Sequence, residues 1–243
     1  LDALAEAVEY NIANPSPWAT DSTTAGHSGR FFGDYVSWER IPTFRQIALY
    51  SALPVAASAL MNSTTVRFFH DHVLVKEPDT AEVTPWHHDQ PYYCVDGDQN
   101  VSFWISLDAV PAAAGLQFVA GSHRWGQQFI PRKFIDSSGY VTAEGAGAGY
   151  QPVPDIDADR NDYEILRFDV RPGDVIAFHY RTLHSAPGTA GLTTGRRRAV
   201  SMRYVGDDAT FTRRPWTPSP PFDQRDLVEG GPLDDQRFPL VFS

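Results

Sequence analysis

The sequence predicts a mainly β domain in which short strands form a sandwich or barrel and helices buttress one face. Two observations predict this fold class. Apolar residues follow helical spacing before residue 65, and from there short β-branched and aromatic runs alternate with turn residues. Helices followed by many short strands are typical of such an architecture. The 243 residues, 42% of them hydrophobic, suit one large domain with a sizeable core.

The first part of the chain predicts two helical regions. Apolar residues at helical spacing predict a helix over Leu1–Ile12, and because it has already begun at Leu1, we expect a short segment upstream. A loop rich in Pro, Ser and Thr follows over 14–28. Ile41–Met61 is helical in pattern, and Pro54 is expected to kink it or split it in two.

From Thr65 onward the chain predicts strands separated by turns that contain Gly, Pro or Asp. The Gly-rich segment 139–149 and the acidic segment 155–162 are predicted to form a long excursion between strands. Loops of that length often serve as lids or binding loops. We divide one domain, 1–243, into a mainly helical buttress (1–64), a barrel core (65–206) and a C-terminal extension (207–243). The predicted strands are Val66–Phe69, His72–Lys76, Val101–Leu107, Leu116–Val119, Ile165–Phe168, Asp174–Phe178 and Arg198–Tyr204.

Composition and charge indicate which classes of binding partner are disfavoured. The chain has 20 basic and 30 acidic residues, and a net charge of −10 disfavours nucleic acid or an anionic membrane as a partner. No apolar run has the length of a membrane span, and the first residues do not show the basic-then-apolar pattern of a leader. Cys94 is the single cysteine, so no internal disulfide forms. We expect a cytoplasmic protein; the sequence does not predict its oligomeric state.

The segment His87-His88-Asp89 is the most informative in the chain. In an extended segment residues 87 and 89 project to the same face, so an imidazole and a carboxylate can bind one metal ion. His184 is the best candidate for a third ligand, and His179 is the alternative. Two imidazoles and one carboxylate that leave open coordination positions are typical of non-haem Fe(II) oxygenases.

An arginine cluster, 196–198, follows His184. The co-substrate 2-oxoglutarate binds iron through its 2-oxo group and the adjacent carboxylate, and its far carboxylate needs a cation. The planar fork of arginine suits that task better than lysine. Arg197 shares strand parity with Arg203, whereas Arg198 has the opposite parity. From the residues alone, Arg196, Arg197 and Arg198 all stay open as the anchor. His70 and His72 are expected to line the cavity.

Taken in order, seven stretches resemble the phytanoyl-CoA dioxygenase family of Fe(II)- and 2-oxoglutarate-dependent oxygenases. The likeness runs from about residue 40 to 206, and the matched stretches together are specific where each alone is weak. They are Lys76-Glu77-Pro78, Thr84–Asp89, Trp104–Asp108, Gly115–His123, Pro172–Asp174, His184-Ser185 and Arg197–Ser201.

The resemblance implies a double-stranded β-helix, a cupin-like jelly-roll barrel with Fe(II) in its mouth and helices buttressing it. It implies that His87, Asp89 and His184 are the catalytic iron ligands. It further implies a 2-oxoglutarate pocket formed by Arg197, Trp104 and Lys76. The reaction it implies is oxidation, most simply hydroxylation, of an unactivated C–H bond by O₂, with 2-oxoglutarate released as succinate and CO₂. Desaturation, epimerisation or cyclisation needs only a different substrate pose.

Two alternatives stay open at this point. A cupin-like barrel with the same ligands can hold zinc and act as a hydrolase or isomerase, or it can be a binding module without catalysis. The substrate is expected to be a small apolar or cationic molecule in a pocket lined by aromatic residues. A CoA thioester is not predicted, because Arg213 and Arg214 are interpreted as solvated surface residues. The aromatic candidates for the pocket are Trp86, Tyr92, Tyr93 and Phe103.

Overall fold

The structure, a computed structural model, describes residues 1–23, 29–134, 137–140, 149–189 and 195–243. Its α-helices all precede the long strands, as predicted. They are α1 (Asp2–Ala13), α2 (Pro42–Tyr50) and α3 (Leu53–Met61). None of the described helices has the length and apolar character needed to cross a bilayer.

The predicted division of the second helical region is confirmed. Pro54 lies in the first turn of α3, where the missing N–H costs no helical hydrogen bond. α3 ends where Asn62 adopts a left-handed conformation at φ 50°. The long pattern therefore forms two short helices joined at residues 51 and 52.

The strands are mostly short, and most lie where the sequence predicts them. The predicted runs 66–69 and 72–76 form one continuous strand instead of two. The strands are β1 (Thr20–Asp21), β2 (Phe31–Tyr35), β3 (Val66–Lys76), β4 (Thr84–His87), β5 (Val95–Asp96), β6 (Asn100–Ser106), β7 (Gln117–Val119), β8 (Gln128–Phe129), β9 (Tyr150–Gln151), β10 (Ile165–Arg167), β11 (Val175–Phe178), β12 (His184–Ala186), β13 (Arg197–Val205), β14 (Thr210–Phe211) and β15 (Leu240–Phe242).

Two antiparallel sheets form the body of the molecule. The larger has the order β1-β2-β3-β13-β6-β11, with β15 also paired to β3, and the smaller has the order β10-β7-β12-β4. Strands from both ends of the chain, β1, β2 and β15, thus join the large sheet. This mainly β arrangement with N-terminal helices is the cupin-like, jelly-roll fold class that the sequence predicts.

Alternation along β13 separates the main core from the cavity between the sheets. Val200, Met202 and Tyr204 are fully buried on the face that packs against the helices. The Tyr204 hydroxyl donates to the carbonyl of Ala48 in α2 at 2.9 Å, which joins sheet and helix. Residues of the other parity face the cavity. Most of the predicted excursion 139–149 and of the loop 189–195 lies outside the described residues.

Candidate metal and co-substrate site

The structure brings His87, Asp89 and His184 together at the edge of the small sheet. His87 ends β4 and faces His184, the first residue of β12, in register. Asp89 follows two residues after His87 at the start of a short 3₁₀ turn. Asp89 Oδ1 lies 3.7 Å from His87 Nε2 and 3.8 Å from His184 Nε2, and the three ligand atoms lie within 4.8 Å of one another. This spacing suits a single metal ion.

Backbone carbonyls orient both imidazoles. His87 Nδ1 lies 2.7 Å from the carbonyl oxygen of Pro85, and His184 Nδ1 lies 2.9 Å from that of Thr182. A carbonyl only accepts, so each Nδ1 carries the proton and each Nε2 lone pair is free for a metal. Burial lowers the pKa of His87 to about 3 and also lowers the pKa of His184. Both rings are therefore neutral near pH 7, the form that binds metal.

The two oxygens of Asp89 have different surroundings. Oδ1 faces the two imidazoles, whereas Oδ2 accepts from Ser102 Oγ at 3.2 Å and from Arg203 Nη2 at 3.3 Å. Burial raises the pKa of Asp89, but the positive charge of Arg203 outweighs it and holds that pKa well below its usual range. Asp89 is therefore anionic and suited to bind a cation.

Of the three clustered arginines, Arg197 lines the cavity. Its Nη1 donates to the carbonyls of Ala114 and Pro187, and no described carboxylate pairs with it. Burial lowers its pKa to about 10, so it stays charged near neutral pH. Arg198 points to the other face and pairs with Asp108 at 2.7 Å. Arg196 likewise forms ion pairs with Glu9 and Glu77.

Lys76 and Trp104 line the same cavity as Arg197. Lys76, the last residue of β3, stands opposite Arg197 in register and is 1% exposed. Its Nζ donates to the carbonyls of Glu82 at 2.7 Å and Pro187 at 3.1 Å. Burial lowers its pKa well below the usual range. The structure thus gathers the predicted co-substrate residues on one wall of the large sheet.

A cavity of about 610 Å³ opens above these residues. Tyr92 and Tyr93 line it, as the sequence indicates. Trp86 and Phe103 do not, because each points into a hydrophobic cluster instead. The remaining aromatic wall comes from residues that the sequence pattern did not single out: Trp18, Phe31, Tyr35, Phe134, Tyr140 and Phe178.

Most of the other predicted residues fall outside the metal centre. His72 lines the cavity, but His70 is fully buried beside it and is absent from the wall. His88 is buried and accepts from the Phe129 amide at 3.0 Å. His179, the alternative ligand, lies 2.9 Å from the carbonyl of Asp98, away from the three ligands. Arg214 is not a surface arginine, since its side chain is 4% exposed and paired with Asp96.

The main residue that sequence reasoning missed is Arg203, which contacts Asp89 and lines the cavity. The sequence feature that could have identified Arg203 is its position on the same face of the predicted strand as Arg197. Ser102, the other donor to Asp89, gave no signal, because a serine in an apolar strand is common.

Comparison with known proteins agrees with this geometry. A sequence profile of the family described as phytanoyl-CoA dioxygenase (PhyH) matches residues 14–199, well over half of the chain. A curated relative, the 1-deoxypentalenic acid 11-beta-hydroxylase of Streptomyces arenae, is 28% identical over 148 residues. That match covers 59% of this chain and 48% of the hydroxylase, so the chain spans about half the length of this relative.

Solved structures with the same fold include the epimerase SnoN in complex with Fe³⁺, alpha ketoglutarate and nogalamycin RO. SnoN has a TM-score of 0.74 and 24% identity, over 99% of this chain and 88% of SnoN. EctD from S. alaskensis with 2-oxoglutarate and 5-hydroxyectoine has a TM-score of 0.64 and 17% identity, over 96% and 77%. Together with the profile match, the site identifies the chain as a member of the phytanoyl-CoA dioxygenase family of Fe(II)- and 2-oxoglutarate-dependent oxygenases.

Proposed function

We propose that this protein is an Fe(II)- and 2-oxoglutarate-dependent oxygenase that hydroxylates an unactivated C–H bond of a small organic molecule. The observation that carries the proposal is the convergence of His87, Asp89 and His184 in a cavity that is also lined by Arg197, which has no carboxylate partner among the described residues. Two neutral imidazoles and one carboxylate bind iron on one side and leave the cavity side open.

The residues present fit iron. Both imidazoles present Nε2 because Nδ1 is bonded to a backbone carbonyl, and Asp89 presents one anionic oxygen. Bound Fe(II), with 2-oxoglutarate and O₂, supplies the oxidising power, and the co-substrate leaves as succinate and CO₂. The protein's part is to fix the ligands, orient both organic molecules and keep water away.

Arg197 is the residue we propose for the far carboxylate of 2-oxoglutarate. A buried cation without a carboxylate partner among the described residues is costly unless an anion joins it. Lys76 adds a buried amine that donates hydrogen bonds on the adjacent strand, and Trp104 supplies an apolar wall. This wall therefore provides the charge and shape that a dicarboxylate needs.

The rest of the cavity is proposed to hold the substrate. Its volume lies within the range of small-molecule pockets, and its rings suit a largely apolar molecule. Hydroxylation is our first choice because it needs only one C–H bond held next to the metal. Epimerisation, the activity of SnoN, also requires a hydrogen donor at the opposite face of the carbon.

Succinate formation tests the proposal. The purified protein is incubated with 2-oxoglutarate, O₂ and candidate apolar substrates, with Fe(II), Zn(II) or no metal. We expect succinate in an amount matched by oxygenated product, and only when Fe(II) and O₂ are both present. Turnover of a substrate with Zn(II), without O₂ or 2-oxoglutarate, would contradict the proposal and favour a hydrolase or isomerase.

A further inference from the structure

Arg203 is a buried arginine that lies directly behind the proposed iron ligand Asp89. It is 3% exposed, and its Nη2 and Nε lie 3.3 and 3.4 Å from Asp89 Oδ2. The ring of Tyr93 covers its other side, with its centroid 5.4 Å from Cζ. Because Arg203 is six residues after Arg197 on the same strand, alternation places both on the cavity face.

Ser102 contacts the same oxygen of Asp89. It stands opposite Arg203 in register on β6, and its hydroxyl lies 3.2 Å from Oδ2. Both neighbours therefore hold Oδ2, whereas Oδ1 is the oxygen that faces the two Nε2 atoms. A carboxylate held in this way has one oxygen free for a metal, so Asp89 would bind an ion through Oδ1.

The contacts of Arg203 argue against a purely packing role. A buried arginine that only stabilises the fold normally has its donors satisfied. Arg203 Nη1 has no hydrogen-bond partner among the described residues. Asp89 is also the one described carboxylate that pairs with it. The guanidinium of Arg203 is thus held by Asp89 and not by a full set of hydrogen bonds to other neighbours.

We propose that Arg203, together with Ser102, is a positioning residue that fixes Asp89 so that Oδ1 alone is presented to Fe(II). The proposal rests on the proposed function, since it needs an iron site at Asp89. It assigns Arg203 no contact with iron or substrate. Residues that orient metal ligands in this way typically contribute 10- to 100-fold to metal affinity.

The test is the Fe(II) affinity of the metal-free protein, measured without O₂ by competition with a coloured chelator. We expect Arg203→Gln to weaken binding by roughly 10- to 100-fold. Arg203→Lys should weaken it less, because lysine keeps the charge but not the planar fork. Ser102→Ala should weaken it least. A visible band formed with 2-oxoglutarate should shift in energy in the Arg203 variants, which a loss of stability alone does not cause.

Arg198→Gln is the matched control. Arg198 lies on the same strand with opposite parity and pairs with Asp108, so Fe(II) affinity should stay at the wild-type value. If Arg203→Gln does not fold, Arg203→Lys decides, since it keeps the buried charge. Wild-type affinity and an unshifted band in the folded Arg203 variants would overturn the proposal. A wild-type protein that binds no Fe(II) would instead contradict the proposed function.

Discussion

At the scale of single residues, burial and hydrogen bonding determine what the metal site can do. In His87 and His184, Nδ1 lies next to a backbone carbonyl oxygen and the ring is buried away from water. Asp89 is buried as well, but the neighbouring cation keeps it ionised. The ligand set is thus already in its metal-binding protonation state. The sequence predicted these three residue types and their spacing, but not the carbonyls and Arg203 that prepare them.

The lowered pKa values predict how Fe(II) binding depends on pH. A histidine with an ordinary pKa of about 6.5 is mostly protonated at pH 5.5, so two such ligands would cost on the order of 100-fold in affinity. Burial lowers the pKa of His87 to about 3, so His87 stays neutral at pH 5.5, and burial also lowers the pKa of His184 below its ordinary value. Only His184 can then gain a proton in this range, so we expect the Fe(II) dissociation constant to rise by less than about tenfold between pH 7.5 and 5.5.

Chelator competition under anaerobic conditions measures this constant, and circular dichroism at each pH provides the control for folding. The control is needed because the same shifts affect stability. A histidine whose pKa is lower in the folded protein contributes stability above its unfolded pKa and loses it as the pH falls toward the folded value. A steep loss of affinity between pH 7 and 6 in folded protein would contradict the assignment of neutral, buried ligands.

At the scale of secondary structure, alternation along β3, β6 and β13 decides which side chains reach the cavity. The sequence correctly predicted both helical regions and most strands, because apolar periodicity reports directly on burial. It did not decide which of Arg196, Arg197 and Arg198 anchors 2-oxoglutarate. Which face of a strand points into the cavity depends on how that strand packs in the sheet. It also assigned Trp86 and Phe103 to the cleft, since a buried ring and a cavity ring have the same local pattern.

The parity of β13 predicts a contrast between two adjacent arginines. Arg197→Lys keeps the charge but loses the fork, so we expect the dissociation constant for 2-oxoglutarate to rise about 10-fold or more. Arg198→Lys should leave it unchanged, because Arg198 is bound to Asp108 on the other face. Calorimetric titration of 2-oxoglutarate into the Mn(II)-loaded variants measures both constants. Equal effects of the two substitutions would show that Arg197 is not the anchor.

At the scale of the whole molecule, distant segments build one cavity. The wall includes Trp18 near the N-terminus, Phe134 in the middle and Pro218 near the C-terminus. No local pattern indicates that three such segments meet, because their meeting depends on how β2 and the C-terminal region pack on the sheets. The cluster of His87, Asp89 and His184 was predictable because the chemistry of a metal site restricts residue type and spacing. The substrate wall was not, because many apolar side chains can fill the same space.

We propose that His87, Asp89 and His184 hold Fe(II) at a position where 2-oxoglutarate can also bind it. An anaerobic titration of the metal-free protein with Fe(II) and then 2-oxoglutarate tests it most directly. We expect a weak visible charge-transfer band that requires both components and is lost in His184→Ala, whereas His179→Ala retains it. If Fe(II) binds but no band forms with 2-oxoglutarate, or if His184→Ala keeps the band, the assignment of this site is wrong.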